Sequence, residues 1–324
     1  MKLKQRVLGK SGIAVTEIGL GLWAAGGQGW GPTDDADVLS AVDAALSQGV
    51  DFFDTADVYG DGHSEELLGQ AMQGRRDRFV VATKIGWQGF DGAKRCTAYD
   101  TPEKLVAGVE TSLRRLRTDY VDVIQSHIGF RDPTMPVFLE GFQRLKKAGK
   151  VRAYGVSSSD FEYIRAFNAD EQCATLQIDY SILNRTPELE ILDYCAQHRI
   201  GVIVRGALAM GLLTGKFTPQ SRFAAGDFRQ NWLTDPAQRA VYEQDLEKVE
   251  GLRALARDDR TLAQAALQFA LLHPAVTTVI PGAKDPAQVT ANVAAARVTA
   301  LSASDRALID RVTPRGGGRK IWPA

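Results

Sequence analysis

Val50-Asp51-Phe52-Phe53-Asp54-Thr55-Ala56-Asp57-Val58-Tyr59-Gly60 joins a short apolar run to a loop with an acid at its start and a phenol at its end. The same figure returns further on. Lys84 closes Phe79-Val80-Val81-Ala82-Thr83, and His127 closes Val121-Asp122-Val123-Ile124-Gln125-Ser126. Three ionisable residues thus stand at the C-terminal ends of three successive strand-like runs, with Tyr59 in the loop after the first. Catalytic groups gather at this face of a parallel barrel. A tyrosine ordinarily titrates near pH ~10, and a neighbouring cation can lower that value and make the phenol a usable proton donor. Lys84 is expected to play that part.

Working outward, β-branched runs end near Gly21, Asp54, Thr83, Ser126, Ser157, Ile178, Arg205 and Ile280. Helical patterns fill most of the gaps, over 35–48, 64–73, 101–116, 135–148, 161–167, 187–198 and 261–272. Thr101-Pro102-Glu103 is a helix start, and Leu105, Val109, Leu113 and Leu116 recur at helical spacing behind it. Gly49, Gly74 and Gly149 fall where helix C-caps belong. Eight strands alternating with helices predict a (β/α)8 TIM barrel, one domain over 1–324 with a C-terminal segment, 314–324, that either stays flexible or folds over the site mouth. Arg6 to Val15 predicts an N-terminal β-hairpin around Lys10-Ser11-Gly12 that plugs the barrel bottom. Residues 206–235 form a long loop after the seventh barrel strand. An open doubly wound sheet fits less well. The glycine-rich 19–27 segment follows a strand, but no clean helix start comes directly after it.

Composition narrows the function. The chain has 324 residues, 44% apolar and 24% charged, with Lys+Arg and Asp+Glu equal at 39 each. No basic excess points to nucleic acid, and no apolar run approaches the roughly 18 residues of a membrane span. Without a signal-peptide core the expected location is cytoplasmic. Cys96, Cys173 and Cys195 read as reduced thiols, and His63, His127, His198 and His273 are too scattered for a metal site.

These motifs together resemble the aldo-keto reductases, from about Leu8 to Asn292, in the bacterial sugar-type and potassium-channel β-subunit-like branch. The carriers are Asp54-Thr55-Ala56-x-x-Tyr59-Gly60, Lys84, His127, Gly155-Val156-Ser157-Ser158, and Gln177 with Tyr180-Ser181. Gly211-Leu212-Leu213-Thr214-Gly215-Lys216 and Ile280-Pro281-Gly282-Ala283-Lys284-x-x-x-Gln288-x-x-x-Asn292 complete them. The resemblance implies a catalytic tetrad of Asp54, Tyr59, Lys84 and His127. It also implies a nicotinamide cofactor, NADP(H) favoured and NAD(H) the alternative. Ser157, Ser158, Gln177 and Arg205 are expected at its nicotinamide end, with Trp23, Asp54, Gly206 and Leu208 as further cofactor contacts and Gly211 in the loop laid over it. Lys216, Arg222, Gly282, Lys284, Gln288 and Asn292 are expected at the adenosine end, where Lys216 and Arg222 can clasp a 2′-phosphate. Two departures from the family pattern are Ser158, where asparagine is usual, and Arg205, where many relatives set an aromatic ring. Trp23, Trp30, Trp87 and His127 are the expected substrate contacts, with Phe90, Phe228, Arg229 and Trp232 nearby. The implied reaction interconverts small carbonyls and alcohols. A sugar or pyridoxal-type NAD dehydrogenase and a cofactor-sensing regulatory subunit are the rivals.

Overall fold

The computed structural model describes residues 2–88, 97–128 and 134–321; Phe90, Cys96 and Trp322 lie outside them. Eight parallel strands follow one another around a sheet. They are β3 (Leu20–Gly21), β4 (Phe52–Asp54), β5 (Val80–Ile85), β6 (Val121–Ser126), β7 (Val151–Ser157), β8 (Thr175–Asp179), β9 (Gly201–Arg205) and β10 (Val276–Val279). The first and last close on each other: Gly19 N donates to Val279 O at 2.8 Å and Gly21 N to Pro281 O at 3.3 Å, with parallel bridges Ile18–Val279 and Gly21–Gly282. The sheet is therefore a closed (β/α)8 barrel, as expected.

Side chains alternate across each strand, and the two faces form two cores. Outward residues such as Phe53, Val81, Ile124, Tyr154 and Val204 pack under the helices. Inward residues Phe52, Ala82, Val123, Ala153 and Ile203 fill the barrel bottom with Leu8, Ile13 and Val15. The last three come from the hairpin β1 (Gln5–Val7) and β2 (Ala14–Thr16), paired antiparallel. The plug is real. Its entry is tight: Gly9 lies at φ +51°, and a Cβ there would sit 2.3 Å from Gly201 N.

The helices α1 (Asp35–Ser47), α2 (His63–Met72), α3 (Pro102–Arg115), α4 (Thr134–Lys147), α5 (Phe161–Phe167) and α6 (Ile191–Gln197) fall where the periodicity places them. The Thr101 side chain caps α3 by accepting from Lys104 N. After β9 come the short α7 (Asn231–Thr234), then α8 (Pro236–Gly251), α9 (Leu262–Ala270), α10 (Pro286–Val293) and α11 (Ala303–Val312). The sequence pattern does not predict α8, α10 or α11. In α8 only Tyr242, Asp245 and Val249 are buried, too few for a readable stripe.

Candidate active site

The inward face that supplies the plug also supplies the site, two residues further along each strand. Phe52 leads to Asp54, Ala82 to Lys84 and Ile203 to Arg205. On β4, β5 and β9 an apolar inward residue is thus followed, two residues on, by a charged one. Lys84 Nζ donates to Asp54 Oδ1 at 2.6 Å, to Thr55 O at 2.8 Å and to Tyr59 Oη at 3.2 Å. Gln177 Nε2 donates to the other Asp54 oxygen at 2.7 Å. All four side chains are buried. His127 follows β6, and its ring stands edge-on to the Tyr59 ring at 6.2 Å.

Electrostatics corrects one expectation. Burial pushes the Tyr59 phenol above its ordinary value, and the attraction of Lys84 and Arg205 recovers only part of that shift. Lys84 does lower the phenol relative to an equally buried tyrosine without it, but the net direction is upward. Burial likewise raises Asp54 in spite of Lys84. For Lys84, burial alone would lower the ammonium, and Asp54 with Tyr59 turns the net shift upward. The lysine therefore stays charged at neutral pH and the phenol stays protonated.

From Tyr59 a groove of about 320 Å³ runs over β9 and β10 to the start of α10. Asp54, Gln177 and Arg205 line it beside Tyr59, and Trp23, Gly206, Leu208 and Gly211 line its length. Gly282, Lys284, Gln288 and Lys216 line it further on, together with Arg229. Trp23 stacks on Phe228 at 5.9 Å and meets Trp30 edge-on at 5.1 Å. The 206–235 connection crosses over: Phe228 N donates to Gly29 O at 3.0 Å, and Lys284 Nζ donates to Trp30 O at 2.6 Å. Ala209 and Met210, both lining this turn, hold φ near +50° and +55°, a strain of roughly 1–3 kcal/mol each that gathers at binding sites.

Several expected contacts stand elsewhere. Ser158 Oγ accepts from Asp160 N at 3.0 Å, and neither it nor Ser157 lines the groove. Asn292 Nδ2 reaches Gly282 O at 3.4 Å, supporting the loop from behind. Trp87 lines a separate side cavity with Asp57, Tyr99 and Arg115. Arg222 lines a recess adjoining the groove, shared with Lys216 and Lys284. Arg229, expected near the substrate, is instead clamped by Asp227 through Nε at 2.9 Å and Nη2 at 2.6 Å, with its guanidinium 4.9 Å from the Trp30 ring. Residues 317–321 do not hang free: Arg319 N donates to Leu183 O, and Ile321 N donates to Asp179 Oδ2 at 3.3 Å. Asp179 is a residue that the sequence pattern does not single out. Its only signal is its place one residue past Ile178 at a strand end.

The donor set fits a dinucleotide. Cations at one end suit phosphate, an indole and small residues suit the middle, and the Gln177 amide with the buried tyrosine suits a ring bearing a carboxamide and a reacting carbon. The family model for the aldo/keto reductase family matches residues 17–314. The chain belongs to the aldo/keto reductase family. It is an oxidoreductase of that family, 36% identical over 293 residues to the aldo-keto reductase YhdN of Bacillus subtilis, covering 87% of this chain and 85% of the relative. Among solved structures it resembles the glycerol dehydrogenase of Gluconobacter oxydans, with a TM-score of 0.83, 32% identity and 99% and 98% of the two chains covered. It also resembles an aldo/keto reductase of Klebsiella pneumoniae in complex with NADP and acetate, with a TM-score of 0.70, 28% identity and 96% of each chain covered. No helix among the described residues is long and apolar enough to cross a membrane. No His, Cys, Asp and Glu group among them is placed to hold a metal ion.

Proposed function

We propose that this aldo/keto reductase is an NADP(H)-dependent enzyme that reduces small aldehydes and ketones to alcohols, with Tyr59 as proton donor. The observation that carries the reading is the buried Lys84, which joins Asp54 to Tyr59 at one end of a groove whose other end holds Lys216, Lys284 and Arg229. When bound, the cofactor supplies the hydride. Tyr59 Oη gives its proton to the carbonyl oxygen as negative charge develops there, and Lys84 stabilises the phenolate left behind. Asp54 holds Lys84 charged and aimed, and Gln177 holds Asp54. His127, beside the phenol, orients the carbonyl oxygen. Trp23 closes the site against water. Run backward, the Tyr59 phenolate takes the proton of an alcohol.

The cation cluster supports the phosphorylated cofactor, and the likeness to a structure bound to NADP agrees with it. The likeness to a glycerol dehydrogenase favours a second reading, alcohol oxidation as the working direction. The test is a fluorescence titration with NADPH and NADH, repeated for Lys216→Ala, followed by a carbonyl screen. The expected result is tighter NADPH binding that weakens about tenfold or more in the variant, the loss of one charge-assisted hydrogen bond. NADH binding as tight as NADPH and indifferent to Lys216 would overturn the cofactor assignment.

A further inference from the structure

The inner end of the groove holds a charged group that neither gives nor takes the proton. Arg205 ends β9 on the inward face and is only 9% exposed. It lines the groove together with Tyr59, Asp54 and Gln177. A guanidinium keeps its proton under such burial, so a permanent positive charge is set here. Opposite it in the β8–β9 register is Asp179. That carboxylate is fixed in place: Asn184 Nδ2 donates to it at 2.9 Å and Ile321 N at 3.3 Å. Gly206 sits against it so closely that an added Cβ would lie 2.2 Å from Asp179 Oδ1. Burial draws the Arg205 value down, and Asp179 is the strongest attraction opposing it.

Hydride and proton go to the two ends of one carbonyl bond, so a nicotinamide ring at work here must lie within a few ångströms of Tyr59. It therefore lies within the field of Arg205. The ring is neutral when reduced and carries a positive charge when oxidised. Lys84 and Asp54 form a pair of zero net charge; Arg205 adds a positive charge, tempered by Asp179, with the Lys320 ammonium in the field of both. We propose that Arg205, beside Asp179 in the β8–β9 register, makes this site bind the reduced cofactor in preference to the oxidised one and so raises the reduction potential of the bound couple. The inference rests on the proposed cofactor. Its consequence in the reducing direction is easier release of the oxidised product, a step that often limits turnover. The oxidised cofactor, once bound, becomes a stronger hydride acceptor.

The experiment titrates the full-length protein with NADPH and with NADP⁺ separately, for the natural chain and for Arg205→Met, Arg205→Lys and Asp179→Asn. The quantity read is the ratio Kd(NADP⁺)/Kd(NADPH). Arg205→Met is expected to lower it about tenfold, a change equivalent to about 30 mV for a two-electron couple. Arg205→Lys keeps the charge and is expected to leave it near its starting value. Asp179→Asn removes the tempering charge and is expected to raise it, so the proposal does not depend on one variant folding. A ratio that stays constant in Arg205→Met or Asp179→Asn, even with both affinities weakened together, overturns the proposal. Failure of the natural chain to bind any nicotinamide nucleotide would instead bring down the cofactor reading, and this inference with it.

Discussion

At the residue scale the site is an arrangement of opposing terms around one phenol. Burial raises Tyr59, Lys84 and Arg205 pull it back, and the balance leaves a protonated donor at neutral pH. Tyr59→Phe is expected to lower kcat for carbonyl reduction about 10²–10⁴-fold, the usual worth of a positioned acid, with NADPH affinity kept. Steady-state kinetics beside a binding titration checks it. The pH dependence has a definite sign. Reduction needs the phenol and fails as pH rises through its pKa, while oxidation needs the phenolate and gains over the same range. Removing the cation together with its counter-ion, as in Lys84→Met with Asp54→Asn, raises that pKa further. The alkaline limb of both pH–rate profiles is expected to move to higher pH, and a limb that stays put or moves down would refute Lys84 as the cation acting on Tyr59.

At the scale of elements, local chemistry decides where helices begin, and long-range pairing decides which weak ones survive. α3 and α9 carry their own caps, Thr101 with Pro102 and the Thr261–Gln264 capping box. α11 adds long-range ties to a local cap. Its Asp305 closes a capping box on Ser302 and also accepts from Arg260 Nη2 at 3.0 Å and Arg257 Nη2 at 2.7 Å. Burial works to raise this carboxyl, but the Ser302 amide and the two arginines outweigh it and bring it down to about 2. The folded value lies below the ordinary one near 3.8, so the stabilisation is complete above that value and is lost as pH falls toward 2. Asp305→Asn is expected to cost about 3 kcal/mol at pH 7, the lower end for removing one partner of a buried pair, because Arg260 keeps the Leu255 and Thr299 carbonyls. Denaturant titrations at pH 7 and pH 3 should show the gap between variant and natural chain narrowing in acid.

At the scale of the whole molecule the barrel is two cores back to back. The inner one is sealed from below by a hairpin distant in sequence from the strands it touches, so its stability and the site's chemistry separate along the barrel axis. Leu8→Ala, at a fully buried plug position, is expected to cost about 2–5 kcal/mol while leaving the affinity for NADPH unchanged. Thermal melts with a parallel titration check both halves. A change in affinity would mean that the two ends of the barrel are coupled. The alternation of strand-like and helical patterns, and the residues Asp54, Lys84 and His127 at strand ends, were legible in the linear chain, because period and position along a strand are local properties. Tyr59, Gln177, Lys216 and Lys284 were legible as a pattern of motifs in order. Their distances were not, because closure of β3 on β10 alone brings positions 54, 84, 177 and 205 to one rim. The weakly amphipathic α8 is held by tertiary contacts, and the docking of 317–321 by backbone hydrogen bonds that carry no side-chain signature. What the sequence determined by itself was which chemistry stands at the end of each strand. Which groups share a low-dielectric pocket, and hence that burial outweighs Lys84 at Tyr59 and that Arg205 comes beside Asp179, was decided only by tertiary structure, since desolvation and strand register belong to the folded surroundings of a residue and not to the residue.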